Sequence, residues 1–324
     1  MNGFRLERWI LFYGVLALSG CANVLTASYD TLSASTQAVS ASSTDTYTRF
    51  LKLEQKKDVL SASSAAIGSK PGDSASDIGL TTFDPLTEKN TTYRKELEKR
   101  EAALGILVNY TKVVDAFANK DYRADVDKAS TQLTASINSF GTSLDKSFPN
   151  YPNEKQALAL LGTFVSELGG IIANHERETA LKQIMTDAQP WIVKLTDLLI
   201  HDNTQLEAAT DDLLNIDASI KKDDGHGGSV TMQDRGILAS YNLLLKSAQG
   251  MDRLALVQQA SDTIAEAKEI KLALAALSNA LAKIPAAHQQ MLASLDKPSS
   301  SLTALTDLVA EAQRANQFYQ TLNK

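Results

Sequence analysis

Apolar residues recur along most of this chain at alternating steps of four and three, the spacing of one helix face. Leu25, Tyr29, Leu32, Val39, Phe50, Leu53, Leu60 and Ile67 share one such register, and most of its remaining stations are small and polar, such as Thr36, Ser43 and Ser64. Two forms fit residues 22–48, which are rich in Ser, Thr and Ala: a flexible tether, or the start of a thin helix running from about 25 to 66. The helix is preferred. Residues 67–84 follow as the longest break, a loop marked by Pro71-Gly72 and by clustered Ser, Asp and Gly.

Beyond the loop, Asp84-Pro85 reads as an N-cap with proline in the first helical position. Tyr93, Leu97, Leu104, Val108, Val114 and Phe117 mark one apolar face. Val126, Leu133, Ile137, Phe140 and Leu144 mark the next, with a turn or a polar patch at Asn119-Lys120-Asp121 between them. Phe148 to Pro152 is a stop and restart. The most apolar helix follows; between Ala157 and Ala173 its only charge is Glu167. Pro190 either kinks this helix or begins another.

Leu195, Leu199, Leu206, Ala209, Leu213, Ile216 and Ile220 form a heptad seam with Asp202 at its polar station. A Gly-rich loop spans Lys222 to Ser229. Thr231 and Asp234 resemble a variant capping box, and a helix of roughly 232–283 is expected after them, with Gly250 the one residue able to bend it. Ile264, Ala267, Ile270, Leu274, Leu277, Leu281 and Ile284 carry its later seam, and Pro285 ends it or opens a short helix. The last helix starts at Pro298, with Leu302, Leu305, Val309, Ala312 and Tyr319 inward. No stretch alternates with the strict two-residue period of a half-buried strand. The expected fold is all-α, an elongated bundle of about five to seven long antiparallel helices. Its parts would be a leader at 1–20, the tether or thin helix at 21–66, the loop at 67–84 and the bundle at 85–324.

The leader has a separate logic. Arg5 and Arg8 precede an unbroken apolar run from Trp9 to Leu18, too short for a bilayer, which needs about 20 residues. Small residues and then Cys21 follow. Leu18-Ser19-Gly20-Cys21 resembles the lipobox of bacterial lipoproteins. The resemblance covers about the first 21 residues and implies a covalent lipid on the Cys21 thiol, with no other cofactor expected. It also implies that Ala22, in the sorting position, releases the chain to the outer membrane of a Gram-negative cell, facing the periplasm. Cys21 is the single cysteine among 324 residues, so an exported chain has no internal disulfide.

Charge and composition narrow the rest. The formal net charge is −6, and losing Arg5, Arg8 and Glu7 with the leader makes it −7. No basic stripe suits nucleic acid. His175-Glu176 begins like the HExxH metal motif, but Thr179 stands where the second histidine belongs, which leaves His175 as a core or boundary residue. Asp223-Asp224-Gly225-His226-Gly227-Gly228 lacks calcium-loop spacing. Ser143, Ser219 and Ser294 each begin S-x-x-K without the companion motifs of serine acyl-enzymes. The chain is therefore read as a non-enzymatic lipoprotein, attached to a membrane through its lipid, that binds or scaffolds a protein partner in the envelope. Asp202 reads first as a locally solvated seam position near a helix crossing; the alternative is a carboxylate that pairs with a cation from a facing helix and sets register. Two alternatives stand beside this reading. Residues 157–173, with Gly162, Gly169 and Gly170, resemble in a general way the membrane-inserting hairpins of helical pore-forming toxins. An enzyme using Asp202 or His226 is the other.

Overall fold

The architecture comes from a computed structural model that describes residues 21–65, 88–118, 122–144, 152–214, 219–223, 229–233, 236–297 and 302–322. The leader at 1–20, the loop at 67–84, Asp84-Pro85, Asn119-Lys120-Asp121 and His226 lie outside these residues. Eight helices are described: α1 (Cys21–Ala65), α2 (Glu88–Ala118), α3 (Tyr122–Leu144), α4 (Pro152–Asn174), α5 (Arg177–Leu214), α6 (Ile237–Ser247), α7 (Gly250–Asp296) and α8 (Thr303–Leu322). A two-stranded antiparallel hairpin, β1 (Ser219–Asp223) and β2 (Ser229–Gln233), lies between α5 and α6. The fold is all-α with this one small addition.

Residues 21–65 are a continuous helix rather than a tether, and that helix sits in the middle of the bundle. It packs against α2, α5, α6, α7 and α8. Tyr29, Leu32, Val39, Phe50 and Leu53 are buried on it. So are Ser28, Ser33, Ser35, Thr36, Ser42, Ser43 and Thr46. Burying a hydroxyl without a partner is costly. Here Thr36 donates to the carbonyl of Leu32 at 2.9 Å, Ser43 to that of Val39 at 2.9 Å, and Thr46 to that of Ser42 at 2.8 Å. With its hydroxyls turned onto its own backbone, a helix of small residues can be enclosed on most sides.

Paired contacts fix the directions: Tyr29 lies beside Arg177 and Tyr47 meets Asn203; Arg100 meets Asp202 and Tyr110 meets His288; Asn203 meets Ser278 and Lys182 meets Asp296. Helices α1 and α5 therefore run one way, and α2 and α7 run back. Helices α2 and α3 form an antiparallel pair, with Asn109 donating to Ser136 at 2.7 Å. Helices α1 and α7, of 45 and 47 residues, are each about 70 Å long at ~1.5 Å per residue. The end where α1 begins also holds the close of α2 and of α7. The far end holds the start of α7, with α6 beside it.

Several expectations are corrected. The break after α4 falls at His175–Glu176, and Pro190 lies inside α5; His175 is exposed there rather than in the core or at its boundary. Pro285 lies inside α7, which continues to Asp296. Ile220 is in β1 and pairs with Met232, so the α5 seam closes at Leu213. Thr231 is in β2, and the N-cap of α6 is Gly236. The single helix expected over 232–283, bent at Gly250, is interrupted: residues 232–233 are in β2, α6 closes at Ser247, and Gly250 opens α7 with a φ of +55°, the left-handed region that favours glycine.

Candidate functional site

The polar groups inside the bundle gather at three levels. Nearest the start of α1, Asp115 of α2 faces Asp30 of α1. Burial first, then the hydrogen bond and the charge of Asp30, push the Asp115 carboxyl up to about 7. The Asp115 carboxyl is thus partly protonated near neutral pH. Beside them Arg177 Nε donates to the carbonyl of Phe117 at 2.5 Å and ties the start of α5 to the end of α2.

About one and a half turns further along α2, His288 of α7 lies 1% exposed between two partners. The Tyr110 hydroxyl is 2.6 Å from its Nε2, and the Gln189 side-chain carbonyl faces its Nδ1. Gln189 donates its amide to the carbonyl of Pro285 at 3.3 Å, which fixes its oxygen toward the ring. That oxygen can only accept, so Nδ1 carries the hydrogen and Nε2 accepts from Tyr110. The imidazole is neutral, and burial lowers its pKa to about 3. Trp191 and Phe164 stand edge-on to Tyr110, with ring centroids 5.0 and 6.1 Å away.

The third level joins four helices. Tyr47 donates to Asn203 Oδ1 at 2.9 Å, and Asn203 Nδ2 donates to Ser278 at 3.2 Å. Arg100 Nε lies 3.3 Å from Asp202 Oδ2, with side chains 9% and 15% exposed. A facing helix does supply a cation to Asp202. The deeper polar residue is its neighbour Asn203, fully buried, which also fits the 4,3 spacing between Leu199 and Leu206. A shallow cleft lined by Lys99, Arg100, Phe140, Leu198 and Asp202 opens here. It has room for about one water molecule, far short of the few hundred Å³ a small-molecule site needs.

The other candidates disperse. His201 is exposed on α5, 87 positions from His288 in sequence and on another helix. Ser294 is buried and donates to the carbonyl of Met291 at 2.6 Å; Ser219 lies in β1. Among the described residues no group of three His, Cys, Asp or Glu side chains could hold a metal ion. Ala157, Leu161, Phe164, Leu168 and Ile171 of α4 are all buried, with α5 as the main neighbour. The outer face of α4 is mostly small or polar: Ala159, Gly162, Thr163, Ser166, Gly169 and Gly170 are exposed, with Leu160 the large apolar exception. The apolar character of residues 157–173 is thus used within the bundle. Helix α7 contains the one described stretch apolar and long enough to cross a membrane, and half of that stretch is buried.

Cys21 and Ala22 form the first turn of α1. No family model matches the chain, and no curated protein or solved structure matches it.

Proposed function

We propose that the protein is an outer-membrane lipoprotein, fixed by a lipid on Cys21 and facing the periplasm, that serves as a non-enzymatic rod presenting helical surfaces to an envelope protein. The observation that carries this reading is the position of Cys21. It opens the helix on which most of the others pack. Several acyl chains contribute about 0.8 kcal/mol for each buried CH₂, so a lipid there would hold the rigid body itself. The far end of the bundle would then stand about 70 Å from the anchor at ~1.5 Å per helical residue. The interior supports binding over catalysis: His288 is enclosed and neutral, and the cleft at Arg100–Asp202 is too small for a metabolite.

The test is fractionation with crosslinking. Wild-type chain should sediment with outer membranes, and Cys21→Ala should be found in the soluble fraction or retained with its leader. Crosslinking in intact cells should recover one specific envelope protein with the wild type. A released wild-type chain, or recovery of no specific protein, would overturn the proposal.

A further inference from the structure

Helix α4 is attached to the bundle differently from the other seven. Each of those makes at least one polar contact with a neighbour. Asn109–Ser136 joins α2 to α3, for example, and the backbone N–H of Ala304 in α8 donates to Gln290 of α7 at 2.8 Å. Among the described residues, α4 has no hydrogen bond or ion pair to another helix. Its hydroxyls donate to its own backbone, Thr163 to the carbonyl of Ala159 at 3.1 Å and Ser166 to that of Thr163 at 2.7 Å. Apolar contact alone holds it. Ala157, Leu161, Phe164, Leu168 and Ile171 form one buried stripe, most of it laid on α5, with α3 a lesser neighbour.

Helix α4 is also weak in itself. Gly162, Gly169 and Gly170 stand on its outer face with open space where a Cβ would be, and glycine inside a helix favours the unfolded backbone. Its link to α5 is short: His175 and Glu176 alone separate Asn174 from Arg177. Arg177 is held by the carbonyl of Phe117, and Lys182 and Gln189 tie α5 to α7 further on. The start of α5 is therefore a fixed point beside a movable one. Under α4 lies Trp191, fully buried, with its ring centroid 5.6 Å from that of Phe164 and 5.0 Å from that of Tyr110. The Trp191 Nε1–H is buried with no acceptor among the described residues. Such a donor carries an uncompensated desolvation cost, which ends when water reaches it.

We infer that α4 is a detachable cover: it opens as a unit about His175–Glu176 and bares Trp191 while the other seven helices stay packed. Openings of this kind draw on the least stable cooperative unit of a fold, and α4 is the helix without a polar tie. The closed form hides both the apolar stripe of α4 and the Trp191–Tyr110 face beneath it. The open form makes both accessible. None of this depends on a lipid at Cys21.

The test is hydrogen exchange on the full chain carrying Cys21→Ala, read by mass spectrometry for backbone amides and by NMR for the Trp191 indole proton. Trp9 is the only other tryptophan, and Trp9→Phe removes its signal. Amides of residues 156–172 should exchange about 100-fold faster, or more, than the buried amides of α5 and α7. The Trp191 Nε1 proton should follow the α4 rate while the backbone amide of Trp191 keeps the α5 rate. A Cβ on Gly141 would lie 3.5 Å from Leu158 Cδ1, so Gly141→Cys with Leu158→Cys places a short bis-maleimide bridge between α3 and α4. Bridging should slow both α4 and the indole about tenfold or more relative to the same unbridged chain. Amides of α4 as protected as those of α5 and α7 would overturn the inference. So would α3 and α4 exchanging at one common rate, an indole proton that stays protected while α4 exchanges, or a bridge without effect.

Discussion

His288 gives the sharpest test of the interior, because burial sets its protonation. Its pKa is about 3 in the folded chain against 6.5 for the free group. A group that loses basicity on folding contributes stability that is complete above the unfolded value and is lost as pH falls. Here the unfolded chain binds the extra proton from about pH 6.5 downward. Between pH 7.5 and pH 4 the linkage integral comes to about 3 kcal/mol, a large share of the ~5–15 kcal/mol of an ordinary domain. Asp115 titrates in the same window with the opposite sign: its folded pKa is raised, so its contribution falls as pH rises from about 4 to about 7. The raw curve of stability against pH mixes the two. The informative quantity is the difference between wild type and His288→Gln, which keeps a polar side chain between Tyr110 and Gln189. Urea unfolding followed by circular dichroism at several pH values gives it. The variant should be less sensitive to acid than the wild type by about 3 kcal/mol over that range. Parallel curves for the two proteins, or an imidazole titrating near pH 6 in the folded state by NMR, would refute the reasoning.

Other perturbations follow from the same contacts. Asp115→Asn removes a carboxyl that must ionise beside Asp30, so urea unfolding at pH 8 should show a gain of about 1 kcal/mol after allowance for solvent screening, absent at pH 4. Tyr47→Phe strips the donor from the buried Asn203 carbonyl and should cost about 1–3 kcal/mol, read by thermal unfolding. Arg100→Met alone leaves Asp202 with its cation removed and should cost about 3 kcal/mol, whereas Arg100→Met with Asp202→Leu should recover most of it. Gly250→Ala forces a side chain into a left-handed backbone and should cost about 1–2 kcal/mol, with the loss confined to the α6–α7 end in hydrogen exchange.

Much of the architecture was legible because helix periodicity is a local property. On α5 the seam residues Leu195, Leu199, Leu206 and Leu213 are all buried. On α1 the same holds for Tyr29, Leu32, Val39, Phe50, Leu53 and Leu60. The thin stretch after Cys21 left a tether open beside the preferred helix because Ser and Thr are weak helix formers; close packing on most sides, which no local pattern reveals, decides for the helix. The hairpin was missed because Ile220 continues the heptad count of α5 past the point where the helix stops. Pro190 was read as a kink or a boundary and Pro285 as a boundary; both sit inside helices whose packing outweighs a lost hydrogen bond.

The polar interior was only half legible. Asp202 was visible as a carboxylate at a seam station, and Arg100 meets it. The Tyr110–His288–Gln189 set was not, since its members are separated by 178 and 99 positions and each sits in an unremarkable local sequence. The apolar 157–173 stretch read as a core helix with membrane insertion as the alternative, because hydropathy does not tell a bilayer from a core; Leu161, Phe164 and Leu168 are buried within the bundle.

The central claim is that a lipid on Cys21 joins a helical rod to a membrane. Its most direct test is the intact mass of the N-terminal peptide from detergent-extracted protein. The account predicts a peptide beginning at Cys21 with the added mass of a diacylglyceryl group, or of that group and a further acyl chain. A peptide that retains residues from 1–20, or one that begins at Cys21 with an unmodified thiol, would contradict it.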